Sequence, residues 1–240
     1  MKPAPLEAMD AALPLLRASR LFGALDAQHH AEFARTARRS RYERGAFLWQ
    51  SGDPVREFTI IVSGVIKVCA PMRQGPSSII GIFGPRESIG DSAVIRGRDY
   101  PADAIAATET TEVLWIDKAI VLEAMARDAT VANAVNRSLA EHALALQHKI
   151  RILGAGNIEA RLATLFLHLA ERFGDDLDDG DVMIPLVVSR TDLACLVGTT
   201  PETTIRVLSR WQKSGILTTT DDGFRIGAID PLERLAATED

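Results

Sequence analysis

One stretch constrains the fold of this 240-residue chain more than any other. Residues 189–217 read SRTDLACLVGTTPETTIRVLSRWQKSGIL. A serine side chain can accept hydrogen bonds from the free amides at a helix start, so Ser189 predicts a helix over Arg190–Leu196. Gly198 ends that helix, because glycine adopts the left-handed cap conformation at little cost. The stretch therefore opens with a short helix and a tight turn.

A second helix follows the turn. Thr200 can cap it, and Pro201 suits its first position because no N–H is needed there. Three apolar residues at helical spacing are expected to pack inward. They are Ile205, Leu208 and Trp211. Gly215 ends the helix, and residues 216–226 predict a hairpin that turns at Asp-Asp-Gly. Two helices followed by a small hairpin are typical of a winged helix-turn-helix.

The outer face of the second helix carries side chains suited to DNA. An Arg can bond O6 and N7 of guanine together, and a Glu one turn earlier can accept from cytosine. Glu202 and Arg206 are four residues apart and share a face. Arg210 and Lys213 lie further along and suit phosphates, which position a protein without reading sequence. The predicted DNA-contacting residues are Ser189, Arg190, Thr200, Pro201, Glu202, Thr203, Ile205, Arg206, Arg210 and Lys213. The alternative is a helical hairpin with a solvated charged face.

Composition excludes several classes of protein. The net charge of −5 excludes a generally basic nucleic-acid coat, so DNA binding must be local and salt-sensitive. No apolar run approaches the roughly 18–20 residues that span a bilayer, and no signal peptide is recognisable. We therefore predict a cytoplasmic protein with no membrane partner. We also predict no enzymatic activity, because neither a nucleophile–base pairing nor an HExxH, GxxxxGK[ST] or GxGxxG motif is found.

The N-terminal half predicts a β domain. Short apolar runs separated by turn signals, such as Ser-Gly-Asp-Pro at residues 51–54, are typical of a compact barrel or jelly roll. The predicted strands cover residues 46–50, 58–63, 65–70, 78–83, 102–107 and 112–116. A helix over Ala27–Ala37 precedes them. The arginine-rich run at residues 35–44 is interpreted as an exposed helix face with a turn.

A long helical stretch follows over residues 118–153, with a break near Asp128. Apolar residues at gaps of three and four form one stripe near the heptad period. The part after the break, about 25 residues and 37 Å long, is longer than a small barrel needs for cover. A homodimeric coiled coil is thus favoured over packing on its own domain. The predicted dimer contacts are Val131, Val135, Leu139, His142, Leu146, Ile150 and Leu153. Gly154–Gly156 breaks the helix, and Asn157 can cap the next one, Ile158–Phe173.

Barrel, long helix and winged helix-turn-helix, in this order, resemble the Crp/Fnr family of bacterial transcription regulators. The resemblance covers residues 21–226, and its most specific match is TTPETTIRVLSRWQKSGIL, where Glu202 and Arg206 fill the family's Glu-x-x-x-Arg motif. Ile205 stands where one branch has a base-reading serine, so it either joins the core or touches a thymine methyl. The resemblance implies a homodimer that reads a pseudo-palindromic DNA operator and recruits RNA polymerase.

The implied fold class is α+β, with an N-terminal cyclic-nucleotide-binding-like β jelly roll, a long dimerisation helix and a C-terminal winged helix-turn-helix. The predicted parts are an N-terminal extension (1–20), an effector-sensing β-roll (21–127), the dimerisation helix (128–153), a hinge (154–157) and the DNA-binding domain (158–240). We expect an effector or redox change in the roll to reposition the helix-turn-helix. The alternative is a ligand-sensing barrel whose helix-turn-helix mediates protein contacts.

The resemblance also indicates where an effector would bind. The candidate residues are Gly90, Asp91, Ser92, Pro101 and Ala102. A cyclic nucleotide site in this fold needs Gly-Glu for the ribose and Arg-Ser for the phosphate. Pro101 and Ala102 stand in place of Arg-Ser, and neither side chain can pair with a phosphate. We therefore predict that cyclic AMP is not the effector.

Tyr100-Pro101 is similar to the branch that senses oxygen, nitric oxide or redox state. Its iron–sulfur version needs four cysteines, and the chain has two, Cys69 and Cys195, so an iron–sulfur cluster is not expected. Both are expected to be small buried apolar residues. Haem needs one histidine ligand, so haem sensing of nitric oxide or oxygen is the leading effector hypothesis. The candidate ligands are His29, His30, His142, His148 and His168. The simpler alternative is that each histidine faces solvent or is hydrogen-bonded within the protein.

Overall fold

The computed structural model describes residues 5–70 and 78–237. Within this range the chain forms two compact units, residues 5–70 with 82–144 and residues 78–81 with 145–237. Residues 1–4 of the predicted N-terminal extension and 238–240 of the predicted DNA-binding domain lie outside the described residues. Among the helices that the structure describes, none is long and apolar enough to cross a membrane.

The first unit is a β-roll that follows two helices. Its helices are α1 (Pro5–Ala18), α2 (Ala27–Ala34), α3 (Asp91–Arg96) and α4 (Lys118–Arg127). The strands in this part of the chain are β1 (Arg38–Glu43), β2 (Phe47–Trp49), β3 (Glu57–Ser63), β4 (Ile66–Ala70), β5 (Ser78–Phe83), β6 (Ser88–Ile89), β7 (Asp103–Ala106) and β8 (Thr110–Asp117). One sheet has the strand order β1-β8-β3-β6, and in the other β7 lies between β2 and β4. The predicted β domain is confirmed.

The roll is built around a buried aromatic core. Phe22 packs against Phe33 and Phe58, with ring centroids 4.9 and 6.1 Å away. All three rings are completely buried. Asp26 starts α2 by accepting a hydrogen bond from the amide of His29 at 2.9 Å. The helix that was predicted to run to Ala37 therefore starts as expected but ends at Ala34.

The interpretation of the arginine-rich run is wrong. Residues 38–43 form strand β1, which pairs antiparallel with β8 in the register Arg39↔Leu114 and Arg41↔Glu112. Neighbouring strands supply partners for the arginines, since Arg38 donates to both oxygens of Glu57 at 2.9 and 2.7 Å. The cross-strand acids allow a charged segment to form an exposed strand.

The long helical stretch breaks at Asp128, as predicted. Asp128 follows α4 in an extended conformation, and its carboxylate accepts from the amide of Thr130 at 2.7 Å. Helix α5 (Ala129–Gly154) then runs for 26 residues. Asn157 caps α6 (Ile158–Phe173), because its side-chain oxygen accepts from the amides of Glu159 and Ala160. The predicted bounds of α6 are confirmed.

The second unit is a small winged domain. After α6 it contains β9 (Asp175–Asp176), β10 (Val182–Ile184), α7 (Arg190–Val197), α8 (Pro201–Lys213), β11 (Leu217–Thr220), β12 (Gly223–Ile226) and α9 (Ile229–Ala236). Its sheet has the order β11-β12-β10-β9. Phe166 lies at the centre, 6.0 Å from the ring of Trp211 and 5.0 Å from that of Phe224. This core ties α6, α8 and the hairpin together.

Candidate DNA-binding interface

Local capping builds the first helix of the helix-turn-helix. The hydroxyl of Ser189 accepts from the amide of Asp192 at 3.0 Å and donates to the carboxylate of Asp192 at 2.8 Å. The helix ends at Gly198, which has a φ of 70°. Residues that carry a side chain rarely adopt this left-handed backbone conformation, so glycine is needed there. Both predicted caps of α7 are confirmed.

Helix α8 begins as predicted. The Oγ1 of Thr200 accepts from the amide of Thr203 at 3.3 Å, and Pro201 occupies the first turn. Glu202 is exposed, and hydrogen bonds from its own backbone amide and from the hydroxyl of Thr200 lower the pKa of its carboxyl. Glu202 is therefore ionised at neutral pH, at the helix end that favours a negative charge.

The inner face of α8 differs from the prediction at one residue. Its buried side chains are Thr204, Val207, Leu208 and Trp211. Ile205, which we expected to pack inward, is 49% exposed. Thr204 takes the inner position because its hydroxyl donates to the carbonyl of Thr200 at 3.2 Å and so needs no other partner. Ile205 is thereby left on the outer face.

The outer face presents Glu202, Ile205 and Arg206 together. All three are exposed and lie within a turn and a half of the helix start. The guanidinium of Arg206 makes no hydrogen bond or ion pair with any residue that the structure describes. A free guanidinium on this face can approach a base edge without breaking a bond within the protein.

Two of the predicted DNA-contacting arginines are already engaged. Arg210 donates to the carboxylate of Glu159 at 2.6 Å, and the indole N–H of Trp211 donates to the same carboxylate at 2.8 Å. Arg190 is half-buried, donates to the hydroxyl of Thr219 at 2.5 Å and lies 5.5 Å from the ring centre of Phe224. Burial lowers the pKa of Arg190. Both arginines therefore support the domain's own packing, and contact with phosphates would compete with these bonds.

The wing is a tight hairpin. In β11 and β12 Thr220 pairs with Gly223, which leaves Asp221 and Asp222 as a two-residue turn. Both aspartates are exposed. Their negative charges disfavour contact between the tip of the wing and phosphates. The candidate interface therefore centres on the start and outer face of α8.

Comparison with known proteins agrees with this architecture. Residues 39–128 match the family of cyclic nucleotide-binding domains, and residues 160–235 match the Crp-like helix-turn-helix domain. The chain is 30% identical over 180 residues to electron transport regulator A of Shewanella oneidensis. The matched region covers 75% of this chain and 71% of that protein. This chain belongs to the Crp/Fnr family of transcription regulators.

Two further comparisons agree with this result, the first in sequence and the second in fold alone. The fumarate and nitrate reduction regulatory protein of Escherichia coli is 28% identical over 199 residues, with 83% of this chain and 78% of that protein covered. The solved structure of FixK2 from Bradyrhizobium japonicum has a TM-score of 0.72 at 21% identity and covers 85% of this chain and 99% of that chain. The predicted fold class and the predicted function as a DNA-binding transcription regulator are both confirmed.

In this Crp/Fnr regulator, aromatic rings fill the space beside Gly90. Trp49 and Tyr100 stack with ring centroids 4.0 Å apart and an interplanar angle of 10°. A Cβ on Gly90 would lie 2.9 Å from the ring of Tyr100 and 3.3 Å from that of Trp49. Trp49 also donates to the carbonyl of Ala102 at 3.0 Å, and Ala102 is buried. Pro101 is exposed.

Asp91, a predicted effector-binding residue, is turned into the interior of the roll. Its Oδ2 accepts from the hydroxyls of Ser88 at 2.6 Å and Ser138 at 2.7 Å. Burial is complete and raises the pKa of the Asp91 carboxyl. Its Oδ1 is buried without a partner among the described residues. The next candidate residue, Ser92, is exposed. Gly90, Asp91 and Ser92 therefore do not form one open site.

Three of the five candidate haem-ligating histidines are hydrogen-bonded within the protein. His29 bonds to Asp26 at 2.8 Å, His30 to the carbonyl of Phe22 at 2.9 Å, and His142 to the carbonyl of Ser88 at 3.0 Å. The other two, His148 and His168, pack edge to face with ring centroids 4.1 Å apart. The Nδ1 atoms of both are buried without partners within the described residues.

The predicted dimer stripe needs correction at its N-terminal end. Val131 and Val135 are completely buried in the core of the first unit, and Leu139 packs partly against it. His142 is turned toward Ser88, as described above. On a straight helix, residues at successive gaps of four move around the helix axis and leave the line that a heptad repeat follows. These valines therefore lie on another face of α5. The exposed members of the predicted set are Leu146, Ile150 and Leu153.

Proposed function

We propose that this regulator acts as a homodimer that inserts two copies of α8 into successive major grooves of a pseudo-palindromic operator. The outer face of α8 carries the proposal, because Glu202, Ile205 and Arg206 are exposed together while the opposite face is buried in the domain core. In dimers of this kind the two half-sites lie about one DNA turn apart, roughly 34–36 Å. RNA polymerase is the proposed protein partner, and the bacterial cytoplasm is the proposed location.

Each exposed residue has a proposed role at the DNA. Arg206 donates to O6 and N7 of a guanine, and Glu202 accepts from the amino group of a cytosine. The lowered pKa of Glu202 suits this role, because only the ionised carboxylate is a pure acceptor. Ile205 cannot hydrogen-bond, so its proposed contact is a thymine methyl group. These three contacts would set the sequence preference of each half-site.

Other residues of the predicted set are proposed to position the helix. Lys213 is exposed at the far end of α8 and suits a phosphate. The remaining predicted contacts, Ser189, Thr200, Pro201 and Thr203, lie at the helix starts, where amides and hydroxyls can face the DNA backbone. Arg190 and Arg210 contribute to stability first, since their partners lie within the domain.

The proposed dimer contact is an apolar stripe of α5 that is exposed over most of its length. Leu146, Ile150 and Leu153 follow gaps of four and three, and the exposed Ala143 and the partly buried Leu139 continue the same spacing toward the N-terminus. We call these five residues the α5 stripe. A large exposed side chain such as Ile150, at 72%, favours burial against a second copy. The heptad period is the one that two paired helices share.

The proposed effector is not a cyclic nucleotide. The stacked rings of Trp49 and Tyr100 occupy the space beside Gly90, and Asp91 bonds to Ser138 of α5. Pro101 and Ala102 offer no cation for a phosphate. Haem binding stays a prediction, and His148 and His168 keep ring nitrogens that no described residue bonds.

Selection from a pool of random DNA duplexes tests the proposed function. Wild-type protein should enrich an inverted repeat whose binding weakens with salt. Arg206→Ala should cost about 1–3 kcal/mol on the enriched site and relax the preference at one G·C pair per half-site. Arg44→Ala, which removes an exposed arginine from the roll, is the matched control and should bind like wild type.

Two results would contradict the proposal. If Arg206→Ala weakened the enriched site and random DNA equally, Arg206 would be only a phosphate contact. If wild-type protein enriched no sequence at all, the helix-turn-helix would serve protein contacts instead.

A further inference from the structure

Two cations from outside the helix-turn-helix hold its turn. The last carbonyls of any helix lack partners within that helix. At the end of α7, the Nζ of Lys149 donates to the carbonyl of Leu196 and lies 3.4 Å from that of Cys195. Arg161 donates from Nη1 to the next carbonyl, that of Val197, at 3.5 Å. Three consecutive carbonyls of α7 are thus bonded to side chains of α5 and α6.

Arg161 also holds the segment between α5 and α6. Its Nε donates to the carbonyl of Ala155 at 3.0 Å. One planar guanidinium therefore bonds the α5–α6 turn through one nitrogen and the α7–α8 turn through another. Because the guanidinium is a planar, rigid fork of donors, it links the carbonyls of the two turns at a fixed spacing.

Leu153 packs over the same turn. A Cβ on Gly198 would lie 3.5 Å from Cδ2 of Leu153 and 3.8 Å from Nη1 of Arg161, which are ordinary contact distances. Gly198 immediately precedes the residues that start α8. The C-terminal end of α5 therefore contacts the helix-turn-helix at the point that fixes where α8 begins.

Electrostatics favour the Lys149 contact despite its desolvation. Burial lowers the pKa of Lys149 to about 8, so the ammonium is still the main form at neutral pH. It lies at the negative end of the α7 dipole, where a cation is stabilised. A buried ammonium without these carbonyls would be costly, so the bonds fix the position of the side chain.

We infer that Lys149 and Arg161 are positioning residues for DNA recognition, which couple the C-terminal end of α5 to the start of α8. This inference rests on the proposed function, since it assigns α5 to dimerisation and α8 to the operator. Neither residue touches DNA. A change in the pairing of α5 reaches the recognition helix through these bonds to the α7 carbonyls.

The test compares Lys149→Met with Arg151→Met. Both remove one positive charge from the same end of α5, but the side chain of Arg151 is exposed and makes no hydrogen bond with the described residues. Met keeps an unbranched stem, which preserves packing around position 149. Binding is measured on the duplex that wild-type protein enriches and on random duplex, with melting temperature as the check on folding.

We expect Lys149→Met to bind the enriched duplex about tenfold more weakly. This factor is at the low end of the range expected when one hydrogen bond to a charged group is lost. Affinity for random duplex should stay unchanged, because phosphate contacts depend less on the placement of base-reading side chains. Lys149→Arg should restore binding, and Arg151→Met should match wild type. Equal binding by the two Met variants, or an equal loss on both duplexes, would overturn the inference.

Hydrogen exchange of the turn amides tests the same contact without DNA. Lys149→Met should speed the exchange of residues 198–200, whereas Arg151→Met should not. Unchanged exchange would overturn the positioning role. Failure of wild-type protein to enrich any duplex would instead contradict the proposed function, so the two failures are distinguishable.

Discussion

The α5 stripe predicts different consequences for two leucines on one helix. Leu146 belongs to the stripe and is 49% exposed, whereas Leu144 is 53% exposed and lies off it. Two residues along a helix correspond to about 200° of rotation, so the two side chains point to opposite sides. Leu146→Ala should weaken the dimer, and Leu144→Ala should leave it intact.

The expected loss of dimer stability follows from the exposed fraction of the Leu146 side chain. Full burial of a leucine side chain stabilises by roughly 1.5–3 kcal/mol. Leu146 has about half of its surface left to bury, which gives about 1 kcal/mol per protomer. A two-fold interface contains the residue twice, so the dimer loses about 2 kcal/mol. This loss corresponds to a rise of roughly thirtyfold in the dimer dissociation constant.

Sedimentation equilibrium over a range of protein concentrations measures this constant directly. We expect the dimer dissociation constant of Leu146→Ala to be far higher than those of Leu144→Ala and wild type. Equal constants for the two variants would refute the assignment of the stripe. So would a wild-type protein that stays monomeric at micromolar concentration.

Two further predictions concern the winged domain. Glu159→Ala removes the acceptor of the buried indole N–H of Trp211, so it should lower the free energy of unfolding in urea by about 1–3 kcal/mol. Glu159→Gln should lower it less. Equal losses of stability in the two variants would contradict this. Burial, His148 and nearby arginines lower the pKa of His168 from 6.5 to about 4. The folded state then binds fewer protons than the unfolded state between these values, so stability falls as pH falls from 6.5 toward 4. His168→Phe should flatten this pH dependence in urea titrations; parallel curves would count against it.

The helix-turn-helix was predictable because its signals are local. Each helix start or end is specified by residues within four positions of it. Ser189 and Gly198 cap α7, and Thr200 and Pro201 start α8. The error at Ile205 has the same origin. Spacing alone allows either Thr204 or Ile205 to face inward, and the bond from Thr204 to a carbonyl decides the outcome only once the helix is formed.

Other features depend on partners far away in the sequence. Strand β1 is rich in arginine, and its acceptors Glu57 and Glu112 lie on β3 and β8. Val131 and Val135 fit a stripe, yet periodicity cannot tell which side of α5 the roll covers. The bond between Lys149 and the carbonyl of Leu196 spans 47 residues and leaves no sequence signal, because a backbone carbonyl is present at every position.

The proposed geometry places Glu202 and Arg206 of two paired α8 helices in successive major grooves. Its most direct test is the affinity of wild-type protein for the enriched duplex after insertion of five base pairs between the half-sites. About 10–10.5 base pairs make one turn, so the insertion rotates one half-site to the opposite side of the duplex. We predict that affinity falls to that of random DNA. Unchanged affinity would contradict this paired geometry.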